Sequence, residues 1–194
     1  MMNSGYWQDL LRSGAILGVI MALSLVVEQY MMTCSDLSLT AVSLLYFVEW
    51  CVAVGLFVWL LYRFSRRRAE QCDARRGWSY AQALSYVVSV SMLTGIIVGL
   101  ANTLFVSAIG YESYVEGLVA RIAEMREMFA ASGGTGYDAM FAEFVSNMRS
   151  SEQPSIWVNI YSSLSNYIFG GIVVGLVIAA FVRREPNIFI REDE

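Results

Sequence analysis

Glu49, Asn102 and Asn166 are polar side chains set inside long apolar runs, where such groups are rare. A carboxylate surrounded by hydrocarbon costs a few kcal/mol unless it is paired or turned inward, so Glu49 is expected to face the interior of whatever packs around it. Counting at ~1.5 Å per helical residue, Glu49 and Asn166 both lie ~15 Å from the ends of their runs, and Asn102 lies somewhat nearer its own end. Each belongs to a polar or small stripe at helical spacing: Tyr46, Glu49, Ala53; Ser91, Gly95, Gly99, Asn102; and Asn159, Ser163, Asn166, Gly170. Glu28 is a shallower carboxylate in the first run. Two chemistries fit the layer. The amides of Asn102 and Asn166 could donate to Glu49 in a buried clasp that fixes helix register, or the three could form a site for a proton, a cation or a small ligand. A third reading has them face different neighbours and never meet.

Little else in the chain could do chemistry. All 13 basic residues are arginine, and there is no histidine, which removes the usual general base, metal ligand and pH switch. Cys34, Cys51 and Cys72 are too dispersed for a disulfide framework or a metal-ligand spacing, although Cys34 alone could bridge to another chain. Gly133-Gly134-Thr135-Gly136 lacks the lysine and the strand–turn–helix setting of a phosphate loop and reads as a connector. No catalytic residues, metal or cofactor are expected. The net charge of −4 gives no support for a nucleic-acid partner.

The elements that would position these residues are membrane-spanning helices. The chain is 57% hydrophobic and 15% charged, against about 25% charged residues in soluble domains. Four stretches reach the ~20 apolar residues that a helix needs to cross a bilayer. They are 14–33, 38–62, 82–109 and 156–182. The first is read as a retained helix, because Arg12 is its sole basic flank and no small-residue cleavage site follows. The fold class is therefore all-α and polytopic, a single membrane domain over 1–194. Its spans are linked by a basic loop at 63–81 and a helical loop at 110–155.

Arginine sets the expected orientation. Arg12, Arg63, Arg66, Arg67, Arg68, Arg75, Arg76, Arg183, Arg184 and Arg191 fall on one side, and only Arg121, Arg126 and Arg149 on the other. The first set belongs in the cytoplasm, which makes the chain N-in and C-in and the 110–155 loop extracytoplasmic. Arg63, Arg66, Arg67, Arg68, Arg75 and Arg76 could also dock anionic lipid, a phosphate head group or an acidic partner. The spacings Gly14–Gly18, Gly95–Gly99 and Gly171–Gly175 allow close helix packing, either within the bundle or along a homo-oligomer seam.

The outer loop is too long to lack structure. It reads as two amphipathic helices. The first runs from about Ser113 to Ala131, with Ser113 and Glu116 as a capping box. The second is capped by Thr135 or Asp138 and has Met140, Phe141, Phe144, Val145 and Met148 on one face. These faces could pack on the bundle, on lipid or on another protein. Ser79 and Gln82 form a second capping box at the start of the third span, and Pro154 opens the fourth.

The four spans, the long helical outer loop and the entry Arg75-Arg76-Gly77-Trp78-Ser79-Tyr80-Ala81-Gln82-Ala83 resemble DUF4199, a bacterial inner-membrane family of unknown function, over residues 10 to 183. The resemblance implies the fold and a bacterial inner-membrane location, but no activity and no functional residues. It also implies an association with membrane-linked glycosyltransferases, hence an accessory role in envelope chemistry. The leading expectation is a non-enzymatic accessory or scaffold protein of the bacterial envelope. The alternative is a small transporter or channel-like protein that uses the Glu49, Asn102 and Asn166 layer, which with four spans would need to oligomerise.

Overall fold

A computed structural model describes residues 4–72, 77–131 and 137–186, and among them every regular element is helical. The elements are α1 (Ser4–Thr33), α2 (Leu39–Glu70), α3 (Tyr80–Ile109), α4 (Tyr111–Ala131), α5 (Asp138–Ser150) and α6 (Ile156–Val182). Four of them, α1, α2, α3 and α6, are long and apolar enough to cross a membrane. Arg75, Arg76, Arg191 and the stretch Gly133 to Gly136 lie outside the described residues.

The bundle is built around α3, the most buried of the four. Its inward positions Ala83, Tyr86, Val87, Val90, Ser91, Thr94, Gly95, Val98 and Gly99 recur at alternating three- and four-residue spacing. Gly95 and Gly99 bring its backbone against α6: a Cβ at these positions would sit 2.8 Å from Leu164 Cα and 2.6 Å from Ile160 Cα. On the other flank, Gly14 and Gly18 of α1 receive the side chains of Leu93 and Ile97. Gly171 and Gly175 of α6 face Ser91 and the Leu84–Val87 pair of α3. All six glycines of the small-residue motifs therefore lie at seams within one chain, where close approach gains dispersion contact that lipid would otherwise supply. α2 is the least buried span and packs mainly along α1 and α6.

Helix ends follow local chemistry. The Ser79 hydroxyl accepts from the Gln82 N–H at 3.2 Å, and the Gln82 side chain accepts from the Ser79 N–H at 2.9 Å. Ser155, just after Pro154, caps α6 through the Val158 N–H. At the same end of the bundle as the start of α3, Trp78 and Arg184 exchange two backbone hydrogen bonds of 2.9 Å, which clip the segment after α6 to the entry of α3. Gly77, at φ 65°, makes that turn; a Cβ there would lie 2.6 Å from the Arg184 carbonyl oxygen.

Several expected boundaries differ. α2 runs on to Glu70, so the first part of the expected 63–81 loop is helix. Ser65 and Ala69 are buried on its inner face, and Arg66 pairs with Glu70 at 3.1 Å one turn on, which gives the extension both packing and a surface ion pair. α4 starts at Tyr111 directly after Gly110, which places Ser113 inside the helix. The Ser113–Glu116 capping box does not form, because Glu116 is held by a two-pronged hydrogen bond from Arg149 at 3.0 and 2.9 Å. Asp138 likewise does not cap α5; it takes the Arg126 guanidinium at 2.7 Å.

Candidate functional site

A cavity of about 450 Å³ opens between α1, α2 and α6. α1 contributes Met21, Ser24, Leu25 and Glu28, one face at helical spacing. Glu49, Trp50 and Phe57 of α2 and Asn166 and Tyr167 of α6 complete most of the wall. The two carboxylates therefore reach one space from neighbouring helices. The Ser24 hydroxyl donates to Glu49, joining α1 to α2 across the cavity. Tyr46 of α2 lies close enough to Glu28 of α1 for the two side chains to interact. Behind them Phe57 and Tyr167 meet edge to face, with centroids 5.6 Å apart.

Of the three residues expected to form the polar layer, Glu49 and Asn166 line this cavity and Asn102 does not. No α3 residue lines it, because α3 is enclosed by α1 and α6 while α2 stands to the side. The Asn102 Oδ1 is buried and accepts no hydrogen bond among the described residues. The Glu49 carboxylate takes its hydrogen bond from Ser24, and neither amide supplies one. Ser24, Glu28 and Tyr167 are the site residues that sequence reasoning did not bring together with Glu49 and Asn166. A signal was present: Ser24 and Glu28 are four residues apart on one face of the first span.

Charge makes the cavity unusual. The sequence has no arginine, lysine or histidine between residues 13 and 62, 77 and 120, or 150 and 182. Two carboxylates thus share a space inside stretches of α1, α2 and α6 that carry no cationic side chain, and none lines the cavity. The one hydrogen-bond donor described for them, the Ser24 hydroxyl on Glu49, is neutral.

The α4–α5 hairpin seats on the bundle through α4, whose Gly117 backbone lies against Thr33 of α1 and whose buried arginine reaches the turn into α2. Arg121 of α4, 8% exposed, donates to the carbonyl oxygens of Met32 at 3.1 Å and Leu37 at 2.6 Å. It also donates to the carbonyl and, at 3.0 Å, the hydroxyl of Ser35. It therefore satisfies acceptors that the end of α1 and the turn into α2 would leave unpaired. Beside it, burial raises the Tyr114 phenol above its ordinary value, against a hydrogen bond with Gln29 that pulls it down. α5 packs only on α4 among the described residues, through Phe141, and leaves Met140 and Phe144 more than half exposed.

At the opposite end of the bundle the arginines of α2 differ in setting. Arg63 lies 5.2 Å over the Trp59 ring, Arg66 holds Glu70, and Arg67 is exposed. Arg68 turns inward over the Tyr6 ring at 5.4 Å. Nearby, burial raises the Cys72 thiol above its ordinary value, although Arg68 and Arg184 oppose the shift.

These features define a four-span helical membrane protein with an acidic cavity among its spans and a two-helix cap at one end. The family described as "Protein of unknown function (DUF4199)" matches residues 12–184, and the chain belongs to that family. No curated protein and no solved structure matches the chain.

Proposed function

We propose that the protein is a non-enzymatic component of the bacterial inner membrane whose activity lies in binding a cation within its spans. The observation that carries this reading is the convergence of Glu28 and Glu49 on one cavity that no basic side chain lines, within stretches (residues 13–62 and 150–182) that hold none. Such a pair is expensive to keep for structure alone, since intramembrane carboxylates are costly and two like charges in one site disfavour each other. The orientation is N-in and C-in, supported by the arginine-rich end that holds the start of α1, the end of α2 and Arg183–Arg184. The hairpin then stands on the extracytoplasmic side of the membrane, and Arg63, Arg66 and Arg67 meet anionic lipid on the cytoplasmic side.

The test is chemical modification in lipid nanodiscs. The hydrophobic reagent dicyclohexylcarbodiimide should form adducts at Glu28 or Glu49, read by peptide mass spectrometry. At least one of sodium, calcium or tetraphenylphosphonium should slow the reaction. Carboxylates that stay unmodified, or that react at a rate no cation alters, would contradict the proposal.

A second reading is favoured by the attachment of α5 to α4 alone and by the exposure of Met140 and Phe144. On this reading the hairpin docks a membrane-protein partner, and the protein is an accessory subunit of an envelope complex. A glycosyltransferase-like partner is suggested by association only. Affinity capture from native membranes should recover a defined partner with wild type and lose it when Met140 and Phe144 are both replaced by Ser. Recovery of the chain alone, or as a homo-oligomer alone, would remove this reading.

A further inference from the structure

We infer that the ligand of the acidic cavity is an amphiphilic organic cation, a hydrophobic ammonium- or phosphonium-type molecule that enters sideways from the lipid. The inference rests on the cation-binding reading above and specifies its substrate class. Four observations point the same way.

The first is charge. Glu28 and Glu49 supply negative charge, no basic side chain lines the cavity or falls within residues 13–62 or 150–182, and the complement must therefore arrive from outside the chain.

The second is the wall. Apart from the carboxylates, Ser24 and Asn166, the lining is carbon-rich: Met21, Leu25, Trp50, Phe57 and Tyr167 among others. A hard inorganic ion such as calcium asks for ~6–8 oxygen ligands, which this lining is poorly built to give. A cation whose charge is spread beneath hydrocarbon is matched by carboxylates on one side and ring faces on the other.

The third is size. A volume of about 450 Å³ lies within the range of small-molecule sites, roughly 300–1,000 Å³, and far exceeds a bare ion.

The fourth is access. The floor residues Met21 and Phe57 are buried, while the rim residues Trp50, Val54 and Asn166 are exposed on the outer faces of α2 and α6. Glu49 and Asn166 each lie ~15 Å from the start of their helices, so this rim meets lipid and not bulk water. A hydrated metal ion would have to cross hydrocarbon to arrive there; an amphiphilic cation already resides in it.

The experiment is isothermal titration of the full chain in nanodiscs with tetraphenylphosphonium and, separately, with sodium, using empty nanodiscs as the blank. Wild type should bind tetraphenylphosphonium saturably. Glu28→Gln/Glu49→Gln should weaken binding by about thirtyfold or more, as for loss of a desolvated charge partner. Trp50→Leu, on the exposed rim and so tolerant of change, should weaken tetraphenylphosphonium several-fold by loss of ring contact. It also keeps the test decisive if the double variant does not fold. Saturable sodium binding that the Gln variants abolish, with no saturable tetraphenylphosphonium binding, would overturn the ligand class and leave the cation-binding reading standing. Tetraphenylphosphonium binding unaffected by Trp50→Leu and by the Gln variants would overturn the inference by placing that binding elsewhere. No saturable binding of either cation would overturn both.

Discussion

Replacing Arg121 should release the hairpin from the bundle without unfolding the spans. The guanidinium reaches the carbonyls of Met32 and Leu37 and both oxygens of Ser35, with a longer contact to the Met31 carbonyl at 3.4 Å. Hydrogen bonds to a charged donor are each worth ~1.5–3 kcal/mol. Water can recover part of this on opening, because Met31, Met32 and Ser35 are only half-buried. The net loss for Arg121→Met is therefore about 3 kcal/mol, or about a hundredfold in the local opening constant. Arg121→Lys should lose nearly as much despite keeping the charge, since one ammonium cannot span four acceptors. Hydrogen–deuterium exchange in nanodiscs reads this directly in peptides covering 31–38 and 115–124, with a peptide from the middle of α3 as the internal reference. Exchange that stays within a few-fold of wild type in both variants would refute the idea that this arginine fastens the hairpin.

Gly99→Ala should lose about 2 kcal/mol of bundle stability, because the new methyl meets the α6 backbone at Ile160; Gly18→Ala, which meets only the Ile97 side chain, should lose less. Circular dichroism during detergent-driven unfolding ranks the two, and the reverse order would contradict the seam geometry. Gly77→Ala combines a positive φ with a clash at Arg184 and should unclip the segment after α6, so that trypsin cuts sooner after Arg183 or Arg184. An unchanged cleavage rate would show that the clip does not depend on this turn. Because burial holds the Cys72 thiol above its ordinary value, a smaller fraction is thiolate at any given pH. Its alkylation rate should reach half-maximum at a higher pH than that of an unhindered cysteine peptide, and a midpoint at or below the peptide's would contradict the assignment. On intact cells a membrane-impermeant maleimide should label Cys34 and spare Cys72; the opposite pattern would invert the proposed orientation.

The spans were legible because a bilayer imposes length and apolarity that few other constraints mimic, and the Ser79–Gln82 cap because its two hydrogen bonds are local. Boundaries set by tertiary contact were not legible. The local Arg66–Glu70 surface pair is too weak to extend α2 to Glu70 by itself; the burial of Ser65 and Ala69 against the bundle does. Glu116 and Asp138 carry good capping chemistry, yet distant arginines outcompete the helix ends for them. The same competition shaped the site. Depth along each helix placed Glu49 and Asn166 at one level, but depth says nothing about azimuth. The position of α2 beside α1 and α6 brought in Glu28 and left Asn102 out. Arg121 looked like one of three sparse charges on its side, because the carbonyls it serves lie more than 80 residues away in sequence.

The meeting of the two carboxylates is tested most directly by cross-linking. In a background with Cys34, Cys51 and Cys72 replaced by Ser, the pair Glu28→Cys and Glu49→Cys should be joined by a short bis-maleimide in nanodiscs, giving linked α1 and α2 peptides by mass spectrometry. The pair Glu28→Cys and Leu44→Cys, with Leu44 66% exposed on the outer side of α2, should not be joined. Single-site adducts alone at positions 28 and 49, or equal linkage in both pairs, would mean that the acidic cavity between α1 and α2 does not exist as described.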